Sequence, residues 1–264
     1  MTAATITLPA LTADSVTVRF GGLVAVNRVS FDIPDQGIVS LIGPNGAGKT
    51  TFFNALTGLY QLAEGMVRLG ERDITGLPPH KIAGLGVART FQNIRLFGLM
   101  TAEENVKVAM HGHLKAGVFG TILRTPWQRR EERAAHEEAM DLLDFVGIGK
   151  VADEYARNLS YGDQRRLEVA RALALRPTVL LLDEPTAGMN PRESAVFTEF
   201  VHRVRDEKKL SILLIEHDMS VVMRVSERIT VLDRGEKIAE GAPADIKSNE
   251  RVIEAYLGKS GTEA

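Results

Sequence analysis

The segment GPNGAGKT, at residues 43–50, combines glycines, a lysine and a threonine at a spacing that suits phosphate binding. It matches G-x-x-x-x-G-K-[ST] in full, with the apolar run GIVSLI before it and the helical pattern TFFNALTGL after it. Glycines let backbone N–H groups turn into such a loop, and the dipole of the following helix adds positive potential. We therefore expect a nucleotide phosphate site in which Lys49 reaches the β- and γ-phosphates and Thr50 binds Mg²⁺. A glycine-rich turn that mimics the motif is the alternative.

The apolar run in TVLLLDEP, residues 178–185, ends in two carboxylates. Asp183 would close a buried strand, which is where open α/β sheets bind ligands, and its natural partner there is the Mg²⁺ that bridges the phosphates. Glu184 follows directly and is placed to polarise an attacking water as a general base. A strand end capped by a turn is the alternative, but a phosphate loop in the same chain favours the functional interpretation.

The histidines fall into two groups with different surroundings. His217 follows the apolar run SILLIE and is expected at the same sheet edge as the phosphates, although a lone histidine is more often structural. His111 and His113 are two residues apart and superficially resemble a metal pair. No third ligand or cysteine lies near them in the sequence, so we do not expect a metal site there.

The composition limits the classes of function. The chain has 264 residues, of which 44% are hydrophobic, and its net charge is −2, whereas a dedicated nucleic-acid-binding protein would be strongly basic. The absence of cysteine excludes disulfides and thiolate metal sites and fits a reducing cytoplasm. Residues 1–11 lack a basic start and are expected to form a loose tail rather than a signal peptide. No run approaches the ~18 apolar residues of a membrane span, so any work on a membrane requires a partner.

Short apolar runs without polar alternation predict the buried strands of a parallel sheet. These runs lie at residues 37–42, 179–182, 211–215 and 229–232. Two runs with more alternation predict edge or outer strands, at residues 16–20 and 29–33. Segments with helical spacing separate the strands, at residues 50–59, 164–175 and 191–208. This order of strand, tight loop and helix is typical of the α/β class, with a parallel sheet covered by helices.

The middle of the chain has a different pattern. From about residue 92 to residue 160 no buried strand is apparent, while residues 102–109 and 129–146 have the spacing of helices. We interpret this region as a helical lobe inserted into the sheet domain. The C-terminal piece, residues 243–258, is expected to form one or two short helices, with the last residues frayed.

With LSYGDQRR at residues 159–166 added, the motifs resemble those of the nucleotide-binding subunits of ABC transporters over nearly the whole chain. Walker A lies at 43–50, the signature at 159–163 and Walker B at 179–183. The resemblance implies a P-loop NTPase (RecA-like) fold, with a parallel-sheet core, an antiparallel β edge and an inserted α-helical lobe. We expect a single ABC ATPase domain over 1–264. Its parts would be a core at 12–91 and 166–240, a lobe at about 92–165, and a C-terminal helical extension at 241–264.

The resemblance also implies a head-to-tail dimer in which two ATP molecules join two cassettes. Ser160 and Gly162 of the signature would contact the γ-phosphate of the ATP bound by the partner cassette. Glu184 and the switch histidine His217 would be catalytic. The residues expected to bind ATP are Phe20, Gly43, Pro44, Asn45, Gly46, Ala47, Gly48, Lys49, Thr50 and Thr51. The residues expected to bind Mg²⁺ are Thr50, Gln92 and Asp183.

Two of these positions lie outside the Walker motifs. Phe20 resembles the aromatic residue that stacks on adenine, and a core aromatic at a strand end is its alternative. Gln92, in RTFQNIRLF, resembles the glutamine that senses Mg²⁺ and the attacking water. Residues 93–100 after it would form part of the groove that receives the coupling helix of a permease.

The sequence departs from the family pattern at three positions. Tyr161 stands where the signature usually has glycine, and Asp163 stands where glutamine is usual. Asn190 replaces the usual acidic residue of the D-loop. Asp163 either caps its helix and points away from the nucleotide or weakens the contacts to ATP, so the equivalence of the two ATP sites stays open.

Within that family the chain most resembles the larger ATPase subunit of branched-chain amino acid importers. The similarity lies in RFGGLVAVNRVSF, RTFQNIRLF, LLIEHDM and AYLG, although the AYLG ending is shared with lipopolysaccharide-export ATPases. The excursion at 111–140 also fits that subunit. Its residues Phe119, Trp127, Arg129 and Arg130 suit contact with a permease or with lipid headgroups, but a surface elaboration packed on its own lobe is favoured.

The expected assembly contains a second ABC ATPase subunit (in a hetero- or homodimer), two integral-membrane permease subunits and, indirectly, a substrate-binding protein. The chain would lie peripherally on the cytoplasmic face of the inner membrane, without nucleic acid. One alternative is another ABC system, for export of lipid or lipopolysaccharide or for import of urea or aromatic compounds. A soluble ABC ATPase that acts on DNA or ribosomes is less favoured, since paired cassettes and a coiled-coil insertion are absent from the sequence. A kinase-like P-loop enzyme would not need the signature.

Overall fold

The structure is a computed structural model that describes residues 8–110 and 126–257, with side chains from residue 130 onward in the second range. The chain divides into two compact units, of which the second is Ala88–Pro177 and the first contains the residues on either side. Some features singled out in the sequence lie outside the described residues. They are the start of the N-terminal tail, residues 111–125 of the excursion with His111, His113 and Phe119, the side chains of Trp127 and Arg129, and the chain from Gly258 on.

The strands and helices have the following bounds. The strands are β1 (Leu11–Phe20), β2 (Leu23–Ile33), β3 (Ile38–Ile42), β4 (Glu64–Leu69), β5 (Arg72–Asp73), β6 (Val87–Arg89), β7 (Val179–Asp183), β8 (Ser211–Ile215), β9 (Arg228–Asp233) and β10 (Glu236–Gly241). The helices are α1 (Lys49–Leu56), α2 (Pro79–Gly84), α3 (Ala102–Met110), α4 (Pro126–Phe145), α5 (Tyr161–Leu173), α6 (Pro191–Lys208), α7 (Met219–Val225), α8 (Pro243–Lys247) and α9 (Glu250–Leu257). Short 3₁₀ turns lie at Gly149–Val151 and Ala156–Asn158.

The larger sheet has the strand order β10-β9-β3-β8-β7-β6 within the described residues. Strand β3 pairs in parallel with β8 and β9, and β7 pairs in parallel with β8, while β10 runs antiparallel to β9 at the edge. Every residue of β3, β7 and β8 is buried, which explains why these runs lack polar alternation. The predicted α/β fold with a parallel-sheet core is therefore confirmed.

The smaller sheet is antiparallel and has the order β2-β1-β4-β5 within the described part of the chain. The alternating runs at 16–20 and 29–33 form only part of β1 and β2, which begin at Leu11 and Leu23. Ser15 and Arg28 have φ values of 48° and 46° and interrupt the alternation of polar and apolar residues. The alternation is therefore regular only on one side of each of these two residues. Strands β4 and β5 are short and charged, and no apolar run predicted them.

Helix boundaries follow local hydrogen bonding. Helix α6 has the predicted bounds because Asn190 caps its start and Lys209, with a φ of 55°, ends it. Helix α5 begins at Tyr161, three residues before the predicted start, because the side chain of Ser160 accepts from the N–H of Asp163. Helix α1 ends at Leu56, earlier than predicted, since Gly58 leaves the helix with a φ of 71°.

The hydrophobic core of the first unit fixes α1, and with it the loop that precedes α1. Phe52 and Phe53 of α1 are fully buried, and the ring of Phe52 packs edge-on against Phe31 of β2 with the centroids 5.8 Å apart. Burial of two phenylalanines stabilises this arrangement by several kcal/mol, at about 1.5–3 kcal/mol per side chain. None of the described helices is both long and apolar enough to cross a membrane.

The second unit is largely helical. Helices α3 and α4 lie where the sequence predicted helical spacing, and α5 follows the two 3₁₀ turns. Apart from the end of β6, an isolated bridge between Thr101 and Tyr155 is the strand-like pairing among the described residues of this unit. Asn105 of α3 is buried and uses its amide to hold the loop before the helix, donating to the carbonyls of Phe97 (3.1 Å) and Thr101 (2.9 Å).

Candidate nucleotide-binding site

The loop at residues 43–50 connects β3 to the first turn of α1. A Cβ atom at Gly43 would overlap the carbonyl oxygen of Leu232. At Gly48, where φ is 96°, a Cβ atom would lie 2.6 Å from the carbonyl oxygen of Ala25. Both positions therefore require glycine for steric reasons, and the chain can enter α1 with its backbone N–H groups directed at the loop.

Lys49 folds its side chain back over this loop. Its Nζ donates to the carbonyl oxygens of Gly43 at 2.7 Å and Pro44 at 3.0 Å, and the residue is buried. Burial lowers the pKa of Lys49, while the nearby carboxylate of Glu184 acts in the opposite direction. A buried ammonium that donates to two neutral carbonyls is well suited to bind a phosphate anion.

The carboxylates predicted at the end of β7 lie at the edge of the parallel sheet. Asp183 is the last residue of β7, opposite Ile215 of β8, and is 4% exposed. Glu184 leaves the strand with a φ of 45°, and its N–H donates to the carbonyl of Ile215 at 2.9 Å. Such a φ is uncommon for a residue other than glycine, and it ends the extended conformation of β7.

His217 lies beside Glu184 at this edge. Its Nδ1 is 3.8 Å from Oε2 of Glu184, and its side chain is 64% exposed. The structure therefore places Lys49, Asp183, Glu184 and His217 around the carboxyl end of the central strands, where ligands bind in open α/β sheets.

Glu216 was not predicted to have a role, yet it is the most buried acidic side chain at this edge. Its carboxylate accepts from the N–H (2.9 Å) and the hydroxyl (2.6 Å) of Thr186 and from the N–H of His217 (3.1 Å). It therefore ties the turn after Asp183–Glu184 to the backbone of His217. The pairing joins residues thirty positions apart, so no local pattern in the sequence identifies it.

The residues of this edge fit a magnesium ion. Asp183 offers a buried carboxylate, and Thr50 places an exposed hydroxyl in the first turn of α1. Mg²⁺ is commonly held by one or two protein ligands together with substrate phosphates, so a dedicated cluster of carboxylates is not required. The described residues contain no group of three or more His, Cys, Asp or Glu side chains that could hold a metal by themselves.

Phe20 lies at the end of β1 and is 45% exposed, so it is not a core aromatic. Its ring meets that of Tyr60 edge-on, with the centroids 5.1 Å apart and the planes at 84°. The contact holds the Phe20 ring in place and leaves a large aromatic surface at the end of the strand, which suits stacking with a flat base.

Tyr256 of α9 is a further residue at the phosphate loop that sequence reasoning missed. Burial raises the pKa of Tyr256, and the nearby backbone of Gly43 acts in the opposite direction. The C-terminal helix thus reaches the first residue of the loop. The only signal in the sequence was the AYLG ending, of which Ala255–Leu257 are described.

The signature residues lie in the second unit, where α5 begins. The hydroxyl of Ser160 donates to Oδ2 of Asp163 at 2.7 Å and accepts from the N–H of Asp163 at 3.2 Å. Gly162 has open space where a Cβ would lie, so steric crowding in this chain does not explain a glycine there. Asp163 carries a negative charge in the first turn of α5, where it stabilises the helix start, as one of the two alternatives expected. It also accepts the single hydroxyl proton of Ser160, which then cannot be donated elsewhere.

Gln92 also lies in the second unit, after β6, and is exposed. Its carbonyl oxygen accepts from Nη2 of Arg165 at 2.6 Å. The predicted site residues are therefore divided between the two units: the Walker residues, Phe20 and His217 belong to the first, and Gln92, Ser160 and Gly162 to the second.

Asn190, the third departure from the family pattern, has a structural role. Its side chain accepts from the N–H groups of Arg192 and Glu193, both at 3.0 Å, and Glu193 accepts from the N–H of Asn190 at 2.9 Å. This reciprocal capping box satisfies the first free donors of α6, for which asparagine is among the best residues.

Comparison with known proteins identifies the family to which the chain belongs. A family profile described as ABC transporter matches residues 26–187, and one described as branched-chain amino acid ATP-binding cassette transporter matches residues 236–262. The chain is 49% identical over 252 residues to the high-affinity branched-chain amino acid transport ATP-binding protein BraF of Pseudomonas aeruginosa. The aligned region covers 96% of this chain and 99% of BraF. It is 48% identical to the corresponding protein LivG of Escherichia coli, with the same coverage.

Among solved structures, the chain resembles the ADP conformation of MJ1267, an ATP-binding cassette of an ABC transporter. The TM-score is 0.83 at 29% sequence identity, and the match covers 96% of this chain and 100% of MJ1267. The family predicted from the Walker and signature motifs is thus confirmed. This chain belongs to the ABC transporter family, as one of its ATP-binding cassettes, which are ATPases.

Proposed function

We propose that this chain is the ATP-hydrolysing subunit of an importer for branched-chain, hydrophobic amino acids. The observation that carries the proposal is the whole-length relationship to BraF and LivG, at 48–49% identity over 96% of the chain. The C-terminal match at residues 236–262 supports the same assignment, because it lies outside the part common to the wider family.

In this proposal the first unit binds MgATP. The backbone of residues 43–51 and the ammonium of Lys49 hold the β- and γ-phosphates, while Phe20 stacks on the adenine. Thr50, Asp183 and Gln92 would hold Mg²⁺, which would neutralise charge on the phosphates. Lys49 suits its role because it is buried and its Nζ already donates to the carbonyls of Gly43 and Pro44, which phosphate oxygens can replace.

Glu184 acts as the general base that accepts a proton from the attacking water. Its backbone is fixed to Ile215, which holds the carboxylate at the strand end, and His217 lies 3.8 Å away to orient the water and the γ-phosphate. Glu216 accepts from the backbone N–H of His217 and so positions His217 beside Glu184.

The signature acts on a second nucleotide. Ser160 and Gly162 contact the γ-phosphate held by the phosphate loop of a partner cassette, so that ATP binding closes the dimer and hydrolysis at Glu184 resets it. The segment at 93–100 receives a permease, which is supported by the exposure of Phe97 and Leu99. The full assembly contains two cassettes, two permeases and a substrate-binding protein, with this chain on the cytoplasmic face of the membrane.

The proposal is tested with the chain co-purified with its permeases and second cassette and placed in lipid vesicles. ATP hydrolysis is measured with the binding protein carrying leucine, isoleucine or valine, and with urea or an aromatic amino acid as controls. We expect stimulation and uptake only with the branched-chain ligands. Stimulation by another ligand, or by lipopolysaccharide without a binding protein, would assign the chain to the alternative transport systems, and failure to find any permease would reject a transport role.

A further inference from the structure

The guanidinium of Arg165 lies in the second turn of α5 and contacts the backbone outside that helix. Its Nη1 donates to the carbonyl of Phe91 at 2.8 Å, and its Nη2 donates to the carbonyl of Gln92 at 2.6 Å. The Arg165 side chain is only 3% exposed. A buried cation is tolerated when its N–H groups find acceptors, so the Phe91–Gln92 backbone is held in a fixed position relative to the signature helix.

Glu168 completes this contact from the same face of α5. One oxygen of its carboxylate accepts from Nη1 of Arg165 at 3.1 Å, and the other accepts from the N–H of Phe91 at 3.0 Å. Burial raises the pKa of Glu168, while the N–H of Phe91 and the charge of Arg165 act in the opposite direction. One buried ion pair therefore holds both the N–H and the C=O of Phe91.

Tyr161 brings the signature itself into the cluster. Its hydroxyl accepts from Nε of Arg165 at 3.2 Å and from Nη2 at 2.9 Å. The two residues are four positions apart on the helix and so lie on one face. With Phe91, Gln92 and Glu168, the tyrosine gives each of the five N–H groups of the guanidinium an acceptor, which the usual glycine at this position would not do.

We propose that Tyr161, Arg165 and Glu168 form a splint that makes the backbone at Gln92 move together with the signature. They are positioning residues, because they act on Gln92 through its backbone and none of them needs to touch the nucleotide. The inference rests on the proposed function only for its consequence in hydrolysis. Since Gln92 is expected to serve the attacking water, loss of the splint lowers kcat, whereas the KM for ATP, which depends on the phosphate loop, is preserved.

The first test is hydrogen exchange of the full chain, which requires neither a permease nor a transported substrate. Tyr161→Phe removes the shared acceptor, and Tyr155→Phe is the matched control, because Tyr155 lies in the same unit and is 47% exposed against 46% for Tyr161. We expect Tyr161→Phe to speed exchange in peptides containing Phe91 and Gln92 by about tenfold, the value of a hydrogen bond to a charged group, and Tyr155→Phe to leave it unchanged. Equal exchange in both variants overturns the proposal.

The second test is ATP hydrolysis by the assembled transporter. Tyr161→Phe and Arg165→Lys should each lower kcat by about tenfold with KM for ATP within about twofold, because lysine lacks the planar fork that reaches two carbonyls. The double variant should be no worse than Arg165→Lys alone, since both changes break one unit. A wild-type kcat in Arg165→Lys, or a rise in the KM for ATP that accompanies the loss of kcat, overturns the proposal. A transporter that imports a different substrate would refute the proposed function and leave both splint measurements valid.

Discussion

The two units hold their functional residues by different means. In the first, Asp183 ends a fully buried strand, and Glu184 and His217 follow such strands. The backbone of Glu184 is hydrogen-bonded to the neighbouring strand β8. In the second, Ser160 lies at a helix start and Gln92 lies in a loop. The side chains of Asp163 and Arg165 on α5 form hydrogen bonds with them. Geometry at the strand ends is therefore set by the sheet, whereas geometry at the signature depends on a few polar side chains.

The difference coincides with where the sequence departs from the family pattern. The Walker residues follow the pattern in full, while two of the three departures, Tyr161 and Asp163, lie in the signature. Each departure forms specific hydrogen bonds: Tyr161 to Arg165, Asp163 to Ser160, and Asn190 to the start of α6. We infer that this chain departs from the family pattern mainly in the signature, the part that we propose contacts the nucleotide of a partner cassette.

The largest expected effect lies at the phosphate loop. Lys49→Met removes a buried cation that can donate at least two charge-assisted hydrogen bonds to ATP, so affinity should fall by about 100-fold or more. Lys81→Met, at an exposed lysine of α2, is the matched control and should leave affinity unchanged. Titration calorimetry with MgATP measures both. Equal affinities would remove Lys49 from the phosphate site.

The next largest effect is on stability at the sheet edge. Glu216→Ala leaves the two donors of Thr186 and the N–H of His217 without their buried acceptor, so the free energy of unfolding should fall by about 3 kcal/mol. Glu199→Ala, at an exposed position on α6, should change it by less than about 0.5 kcal/mol. Urea denaturation followed by circular dichroism distinguishes the two. A small loss in Glu216→Ala would show that the sheet edge does not depend on this carboxylate.

A smaller effect is expected at the signature, where a substitution should strengthen an ATP-dependent interaction rather than weaken it. Asp163→Gln frees the hydroxyl proton of Ser160 and removes a negative charge near the expected γ-phosphate, so ATP-driven association with the partner cassette should tighten by about threefold to tenfold. The same change lowers stability slightly, by about 0.3–1 kcal/mol, because an acidic residue leaves the first turn of α5.

Glu193→Gln is the control for Asp163→Gln, since it neutralises the equivalent position of α6 without touching the signature. Analytical ultracentrifugation of the two cassettes with ATP, both carrying a hydrolysis-deficient change, measures the association. If Asp163→Gln weakens association, Asp163 supports the nucleotide contact, and the inference of a diverged signature is wrong.

The smallest effect is expected at the C-terminal helix. Tyr256→Phe deletes the hydroxyl that lies near the backbone of Gly43, and ATP affinity should fall by about twofold to fivefold. Fluorescence titration with a labelled ATP analogue resolves this change, and Tyr155→Phe, in the other unit, serves as control. An unchanged affinity would mean that α9 contacts the loop without influencing it.

Local patterns in the sequence predicted the parts of the molecule that depend on local physics. The buried strands were predictable because strands covered on both faces are continuously apolar. Helix α6 was predictable because residues typical of helix ends stand at its start and in its last turn. Strands β1 and β2 were predicted only in part, since the irregularities at Ser15 and Arg28 shift the alternation.

Contacts between distant positions were not predictable from one sequence. Arg165 and Gln92 are 73 positions apart, Glu216 and Thr186 are 30 apart, and Tyr256 meets Gly43 across most of the chain. In each case the residue type is ordinary for its local element, and only the fold brings the donor to its acceptor. The departures Tyr161 and Asp163 were visible in the sequence, but their partners were not.

Replacement of Glu184 by glutamine tests the central claim most directly, because the two side chains have the same shape and only the proton-accepting charge is lost. In the assembled transporter we expect ATP binding within about threefold of the wild type and hydrolysis slower by about 10²–10⁴-fold, the range attributed to a general base. ATP should then hold the two cassettes in a stable dimer. Full turnover by Glu184→Gln would falsify the role of Glu184 as the base and with it the proposed chemistry of the sheet edge.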